Sequence, residues 1–98
     1  MADTMVSDLD PVIHAASRLR ICAMLNAARE VEFAVIQREL GVSASVLSKQ
    51  VSHLSGAGYV EQRRVLSGSR HRMWLRLTPA GKAAYDKHIA ALRAILDS

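Results

Sequence analysis

Residues 33–58, FAVIQRELGVSASVLSKQVSHLSGAG, decide the fold because they predict two short helices joined by a tight turn. Phe33, Ile36 and Leu40 recur at a spacing that places them on one face of the first helix. Gly41 follows the last apolar residue, at the position where a left-handed C-cap is favoured. The first helix is therefore predicted over Phe33–Leu40.

The second helix carries an unusual polar face. Ser43 is a good N-cap, and the residues predicted to face the core are Leu47, Val51 and Leu54. The opposite face carries Ser45, Ser48, Lys49, Ser52 and His53. No carboxylate occurs from Ser43 to Ser55, whereas ordinary solvated helix faces are rich in Glu and Lys. Short hydroxyls can approach phosphate oxygens or base edges closely, which favours a nucleic-acid surface; the alternative is that they only fill a solvated face.

A hairpin rich in arginine follows this helix. YVEQRRV and HRMWLRL predict two strands around LSGSR, where Gly68 favours a turn. Alternation places at inward positions Tyr59 or Val60, Val65, Met73, Leu75 and Leu77. The other face or the loop is expected to carry Arg63, Arg64, Arg70, Arg72 and Arg76, and His71 adds a cation at low pH.

Positive charge is concentrated on this part of the chain. From Leu40 to Tyr85 there are seven basic residues and one acid, Glu61, which gives the segment a net charge of +6. The first 39 residues carry a net charge of −2, and the whole chain carries +4. Such local concentration is typical of a surface that binds nucleic acid.

These segments together resemble the winged-helix regulators of the MarR and ArsR families of bacterial transcription factors. The resemblance rests on RLRICAML (18–25), FAVIQRELGVSASVLSKQVSHLSGAGYVEQRR (33–64) and LRLTPAGKAAY (75–85), and it covers about residues 9–96. It implies a mainly α winged helix-turn-helix fold with a small β-hairpin. It also implies a homodimer that binds pseudo-palindromic double-stranded DNA, with the second helix in the major groove and the wing along the minor groove or backbone.

The resemblance maps residues 43–49 and Ser52 onto the recognition helix and residues 70–72 onto the wing tip. The predicted DNA-binding residues of the helix are Ser43, Ala44, Ser45, Ser48, Lys49, Ser52 and His53, and those of the wing are Arg63, Arg64, Ser69, Arg70, His71 and Arg72. Relatives often have longer polar side chains at positions 44 and 45, so base readout is expected to be sparse and specificity to depend on DNA shape. The chain lacks the cysteine pair of the thiolate metal sensors in the ArsR group.

The two ends of the chain are predicted to form the dimer contact. Residues 1–9 are expected to be loose, and Asp10 with Pro11 predicts a helix start, although Ser17 could restart the helix after a break. Residues 31–33 are a candidate third strand. Thr78 and Pro79 open a final helix over residues 79–97. The predicted dimer residues are Ile13, Tyr85, Ile89, Leu92, Ile95 and Leu96, and the alternative is that the final helix only folds back onto the first.

Other chemistry receives little support from the sequence. Cys22 is the single cysteine and is predicted to be a small buried hydrophobe, with a redox-sensing thiol as the alternative. His88 forms an Asp-x-His pattern with Asp86, but no second pair of ligands follows, so we expect neither a metal nor a cofactor. No glycine-rich phosphate loop, HExxH or Gly-x-Ser-x-Gly motif occurs, and we do not expect an enzyme. Trp74 is expected either at the surface near the wing base or in an interface.

The 98 residues are expected to form one domain, and the absence of a long apolar stretch or signal peptide predicts a cytoplasmic protein with no membrane partner. The sequence thus predicts a sequence-specific DNA-binding transcriptional regulator, a dimeric repressor, with any small-molecule effector in the dimer cleft. The competing interpretation is a winged-helix protein-interaction module that docks an acidic partner through Trp74 and does not bind specific DNA.

Overall fold

The computed structural model describes residues 8–98, so most of the segment predicted to be loose, residues 1–9, lies outside the described residues. Residues 8–98 form four helices and three strands. In chain order they are α1 (Ala16–Ala27), β1 (Val31–Glu32), α2 (Phe33–Leu40), α3 (Ala44–Gly56), β2 (Val60–Ser67), β3 (Arg70–Leu77) and α4 (Pro79–Leu96). The prediction of a mainly helical winged fold with a small hairpin is confirmed.

Local capping chemistry sets the helix ends near the turn. α2 ends at Gly41, whose φ of 66° lies in the left-handed region that glycine adopts without a Cβ penalty. α3 begins after Ser43, whose Oγ accepts a hydrogen bond from the Val46 N–H at 3.2 Å. α4 begins after Thr78, whose Oγ1 accepts from the Gly81 N–H at 2.9 Å. Both N-caps were predicted from the sequence.

The N-terminal part of the chain differs from the continuous helix that Asp10 and Pro11 suggested. Asp10 does cap a turn, because its Oδ1 accepts hydrogen bonds from the backbone N–H groups of Val12 at 2.8 Å and Ile13 at 3.3 Å. This single turn does not continue into a helix. The helix α1 starts only at Ala16, and no side chain caps its N-terminus. After this turn the chain breaks before α1, and the Asp10 N–H donates to His88 Nδ1 of α4 at 2.9 Å.

The sheet is antiparallel with strand order β1-β3-β2. β1 pairs only with Leu75 and Trp74 of β3, whereas β2 pairs with β3 along its whole length. The third strand predicted over residues 31–33 therefore forms, although Phe33 already begins α2. Val65, which was predicted to point inward, lies opposite Arg72 on the face away from the core, so that assignment was wrong.

The core lies between the helices and one face of the sheet. Its buried hydrophobic residues are Ile13, Ile21, Cys22, Leu25, Ile36, Leu47, Val51, Leu54, Val60 and Leu75. α4 joins this unit through a close backbone approach, because a Cβ at Gly81 would overlap the carbonyl group of Tyr59. Among the described residues, no helix combines the length and apolar character needed to cross a bilayer.

Candidate nucleic-acid interface

The exposed face of α3 is polar and carries no acid. All seven predicted recognition residues are exposed, while the other face of the helix buries Leu47, Val51 and Leu54. Ser43 Oγ lies 3.3 Å from Ser45 Oγ, so the two hydroxyls at the start of the helix are close enough to hydrogen-bond. Val46 is also exposed, at 44% of its surface, and was not among the predicted residues. A hydroxyl-rich face with one lysine and a methyl-bearing side chain suits the edges of bases in a major groove.

Side-chain hydrogen bonds connect α3 to the rest of the domain. Arg18 donates through Nε to the Val12 carbonyl at 2.5 Å and through Nη1 to Gln50 Oε1 at 2.9 Å. At the other end of α3, Gln62 Nε2 and Ser55 Oγ are 3.3 Å apart. α3 is therefore tied both to the N-terminal turn and to β2. A helix held at two points presents its outer face in a defined orientation.

The wing arginines are less free than the sequence suggested. Arg63 forms a bidentate ion pair with Glu30. Its Nη2 lies 2.7 Å from Oε1, and its Nε lies 3.1 Å from Oε2. Arg72 lies 3.2 Å from Glu32. Both acids precede α2, more than 30 residues away in sequence, so a count along the hairpin could not find them.

A third pair joins Arg76 to Glu61 at 2.7 Å. Within residues 8–98, Arg64 and Arg70 are the wing arginines without a carboxylate partner. The hydrogen bond from Arg63 lowers the pKa of Glu30, because it stabilises the charged form of this carboxylate. The net positive charge of the hairpin is thus partly neutralised at its base and remains at Arg64 and the tip.

The predicted wing residues are divided between the two faces of the hairpin. Arg64 lies on the face that also carries Gln62, which contacts α3, and His71 shares this face through its pairing with Leu66. The opposite face carries Arg63, Arg70 and Arg72. Ser69 lies in the turn beside Gly68, whose φ of 64° is left-handed. Leu66 at the tip is 62% exposed, although nothing in the sequence pattern singled it out.

The buried His88 belongs to a network of contacts that the sequence did not predict. His88 is 0% exposed, and its Nδ1 accepts a hydrogen bond from the Asp10 N–H at 2.9 Å. The Tyr59 hydroxyl donates to Asp10 Oδ2 at 2.6 Å, and the His14 ring packs against His88 edge to face at 5.4 Å. Burial and the neighbouring His14 lower the pKa of His88. The contact between the His14 and His88 rings therefore forms within one chain.

Two further groups bear on the predictions of chemistry. Burial, with a smaller contribution from Asp10, raises the pKa of the Cys22 thiol to about 11, which disfavours the thiolate that redox sensing requires. Residues 8–98 contain no group of three or more His, Cys, Asp or Glu side chains placed to hold a metal ion. Trp74 is half-buried on the outer face of the sheet, directly between Glu32 and Arg63 of the neighbouring strands.

The predicted dimer residues differ in their exposure. Ile13 is fully buried in the core of its own chain, so in this conformation it offers no surface to a second subunit and that assignment is corrected. Leu96 is 80% exposed, and the half-buried residues are Tyr85, Ile89, Leu92 and Ile95. α4 buries Gly81, His88 and Ala91 against its own domain. The helix thus folds back along one side and leaves an apolar face uncovered near its end.

The family model described as winged helix DNA-binding domain matches residues 17–96. The chain is 24% identical to the transcriptional regulator homologue from Pyrococcus horikoshii OT3, with a TM-score of 0.82 over 88% of this chain and 85% of that one. A search of curated proteins gave no significant match.

Two other solved structures share the fold at lower identity. The PcaV transcriptional regulator from Streptomyces coelicolor, solved in complex with its natural ligand, has a TM-score of 0.74 at 17% identity, over 90% of this chain and 61% of that one. The zinc-responsive MarR family member ZitR from Lactococcus lactis has a TM-score of 0.66 at 20% identity, over 90% and 60%. The chain therefore shares the winged-helix fold of these proteins.

Proposed function

We propose that this chain, which belongs to the winged helix DNA-binding domain family, is a sequence-specific transcriptional regulator that acts as a homodimeric repressor. The observation that carries the proposal is the outer face of α3, where hydroxyls and Lys49 are exposed and no carboxylate occurs from Ser43 to Ser55. A helix with this face can lie against a phosphate-lined groove without repulsion. Such a regulator works where the DNA is, which in a bacterial cell is the cytoplasm.

In this proposal α3 reads bases, and the wing supplies phosphate contacts. The recognition residues are Ser43, Ala44, Ser45, Ser48, Lys49, Ser52 and His53; the wing residues are Arg63, Arg64, Ser69, Arg70, His71 and Arg72. Val46 and Leu66 add apolar surface on the helix and at the wing tip, suited to a thymine methyl group or a minor-groove wall. Arg64 and Arg70 contribute most of the phosphate attraction because no carboxylate within residues 8–98 pairs with them.

The wing assignment is tested by titrating the protein against random and selected duplexes over a range of salt concentrations. We expect Arg70→Ala to weaken binding to all sequences alike and to reduce the salt slope by about 1. An exposed arginine outside the interface, Arg29, supplies the matched control Arg29→Ala. Equal affinity and slope in wild type, Arg70→Ala and Arg29→Ala would contradict a wing contact with DNA.

Dimer formation is supported by the uncovered apolar end of α4. A dimer would present two recognition helices to half-sites about one helical turn apart, which fits a pseudo-palindromic operator. We also propose a small-molecule effector, since PcaV was solved with its natural ligand. The effector proposal would be tested by whether a candidate ligand raises the thermal unfolding midpoint of the protein and releases DNA from it.

The second candidate function is a protein-interaction module for an acidic partner. It is favoured by Trp74, which lies on the outer face of the sheet beside Arg63, where an aromatic anchor could meet a carboxylate-bearing surface. This function predicts no salt-dependent binding to duplex DNA at moderate ionic strength. It also predicts that Trp74→Ala abolishes partner binding, whereas DNA regulation predicts a small effect of that change.

A further inference from the structure

The groove between α2 and the wing contains more positive charge than the recognition helix itself. Its volume is about 490 Å³, and it is lined by Glu32, Ala34, Val35, Arg38, Arg70, His71 and Arg72. It therefore gathers three guanidinium groups and one imidazole around a single carboxylate. The exposed face of α3, by comparison, has Lys49 and His53 as its basic groups.

The shortness of β1 creates this groove. β1 pairs with β3 only at Leu75 and Trp74, so among residues 8–98 no strand lies beside the stretch of β3 from Arg70 to Met73 on that side. The chain turns directly from Glu32 into α2, which leaves the free edge of β3 facing the side of this helix. Arg38 comes from the last turn of α2, and Arg70 comes from the tip of the wing.

Two of the guanidinium groups in the groove have no anionic partner within residues 8–98. Glu32 accepts from Arg72 at 3.2 and 3.3 Å, so the one carboxylate is already engaged. Arg38 and Arg70 form no ion pair with any described residue and are exposed. Arg38 and Arg70 lie on separate elements of the groove, and their unpaired guanidinium groups can donate to a phosphate group in the planar geometry that arginine favours.

We propose that this groove holds the backbone of duplex DNA and that Arg38, which the sequence did not indicate, is a phosphate-contacting residue. The inference rests on the proposed function and deepens it, because it adds a contact surface from the first helix of the helix-turn-helix. In this arrangement α3 reads the bases while Arg38 and Arg70 bind phosphates from the two sides of the groove. The groove contributes affinity and register rather than sequence preference.

The test measures DNA affinity against salt for wild type, Arg38→Gln, Arg38→Lys and the matched control Arg29→Gln. Each neutralised phosphate contact changes the slope of log K against log salt by about 0.9, so Arg38→Gln should flatten the slope by that amount per subunit and weaken binding to random and selected duplexes alike. At 0.1 M salt this corresponds to roughly an eightfold loss per subunit if the two lines meet near 1 M salt. Arg38→Lys keeps the charge and should keep most of the slope. Arg29→Gln should behave as wild type.

The outcomes separate this inference from the function on which it rests. If wild type shows salt-dependent binding that Arg70→Ala weakens, but Arg38→Gln matches Arg29→Gln, the regulator stands and the groove does not bind DNA. If wild type binds no duplex, both proposals fail. A third arm titrates inorganic phosphate and pyrophosphate by NMR: tight, Arg38-dependent binding of the free anion together with an unchanged DNA slope would assign the groove to a small ligand and overturn the proposal. Thermal unfolding should show the same midpoint for all variants, since Arg38 is exposed and makes no ion pair with residues 8–98.

Discussion

Gly81 shows how a single residue fixes the position of α4. It is buried in the first turn of the helix, and a Cβ built there would overlap the carbonyl group of Tyr59. The Thr78 N–H donates to the same Tyr59 oxygen at 3.0 Å, so the backbone that would have to move is itself hydrogen-bonded. The absence of a side chain is therefore what allows the end of the sheet to touch the start of α4.

We expect Gly81→Ala to destabilise the protein even though alanine is the better helix former. The clash with fixed backbone should cost about 1 to 3 kcal/mol or more, which exceeds the gain of about 1 kcal/mol in helix propensity. The free energy of unfolding in urea measures the difference. Gly56→Ala is the control, because a Cβ there meets nothing within 4 Å, and it should be neutral or stabilising. Equal stability of Gly81→Ala and wild type would contradict the close approach.

His88 makes the stability of the protein depend on pH. Its Nδ1 accepts from the Asp10 N–H, so the proton of the neutral ring lies on Nε2, which has no hydrogen-bond partner among the described residues. Protonation would remove the Nδ1 acceptor and place a charge in a buried site. Burial first, and His14 second, lower the pKa of His88 from its ordinary value of 6.5, against the opposing effect of Asp10.

We expect the free energy of unfolding to fall as the pH falls below about 6.5. Because the folded-state pKa lies below the unfolded one, the unfolded chain takes up the proton first, and stability declines by at most about 1.4 kcal/mol per pH unit until the folded-state pKa is reached. The stabilising contribution is complete above the unfolded pKa. Urea unfolding between pH 8 and pH 5.5 measures the decline. It should be absent in His88→Gln, which retains an acceptor for Asp10, and retained in His53→Asn, which changes an exposed histidine; a decline that persists unchanged in His88→Gln would refute this role.

At the level of elements, the proposed interface combines a hydroxyl-rich helix, α3, with a charged hairpin, the wing. The helix α3 carries little charge. On the hairpin, Arg64 and Arg70 take no part in the three ion pairs that the other arginines form. Hydrogen bonds from serine hydroxyls are directional and short-ranged, so they select bases. Guanidinium groups act over a longer range and are screened by salt, so they set affinity.

We expect Ser48→Ala to change sequence preference without changing the salt slope. Removal of one hydroxyl from the exposed face of α3 should alter discrimination at one or two base pairs by about 1 to 3 kcal/mol. Selection of bound duplexes from a random pool measures the preference, and salt titration measures the slope. Ser98→Ala, which removes an exposed hydroxyl after the end of α4, is a control for loss of a hydroxyl. A uniform loss of affinity in Ser48→Ala with the preference unchanged would count against base readout by this face.

On the scale of the whole molecule, the described residues form an elongated body of 55 × 26 × 21 Å. The wing and α4 extend from a small core, and the exposed apolar surface of α4 is concentrated near its end. His88 and Ala91 turn toward the chain itself, whereas Leu96 is exposed. A helix that projects with an uncovered apolar face needs a partner to bury it, and a second copy of the same helix is the partner proposed above.

We expect Leu92→Glu combined with Leu96→Glu to convert the proposed dimer into a monomer. Two carboxylates on this face would be desolvated and would repel their counterparts across a symmetric contact. Sedimentation velocity at several protein concentrations measures the change, which should exceed a hundredfold in the dissociation constant. Ala94→Glu places a charge on the other side of the same helix and should leave the dimer intact. A wild-type chain that sediments as a monomer at high concentration would refute the contact.

The sequence by itself determined several features that depend on neighbours within a few residues. The range of α2, the Gly41 C-cap, the Ser43 and Thr78 N-caps and the hairpin turn at Gly68 follow from periodicity and capping, because hydrogen bonds of short range fix them. The sequence also predicted that the serines of α3 are exposed, because its apolar residues occupy one face and leave the other to polar residues. These features give the winged-helix fold and the predicted recognition helix.

Only the tertiary structure decided which charges remain available and which apolar residues remain exposed. The pairing of Arg63 with Glu30 and of Arg72 with Glu32 depends on the register of β1 beside β3, which joins segments more than 30 residues apart. Ile13, which was assigned to the dimer, is buried by its own domain. The cationic groove at Arg38 arises because β1 stops after two residues. Contacts between residues far apart in the sequence depend on how the whole chain folds, so local sequence patterns do not predict them.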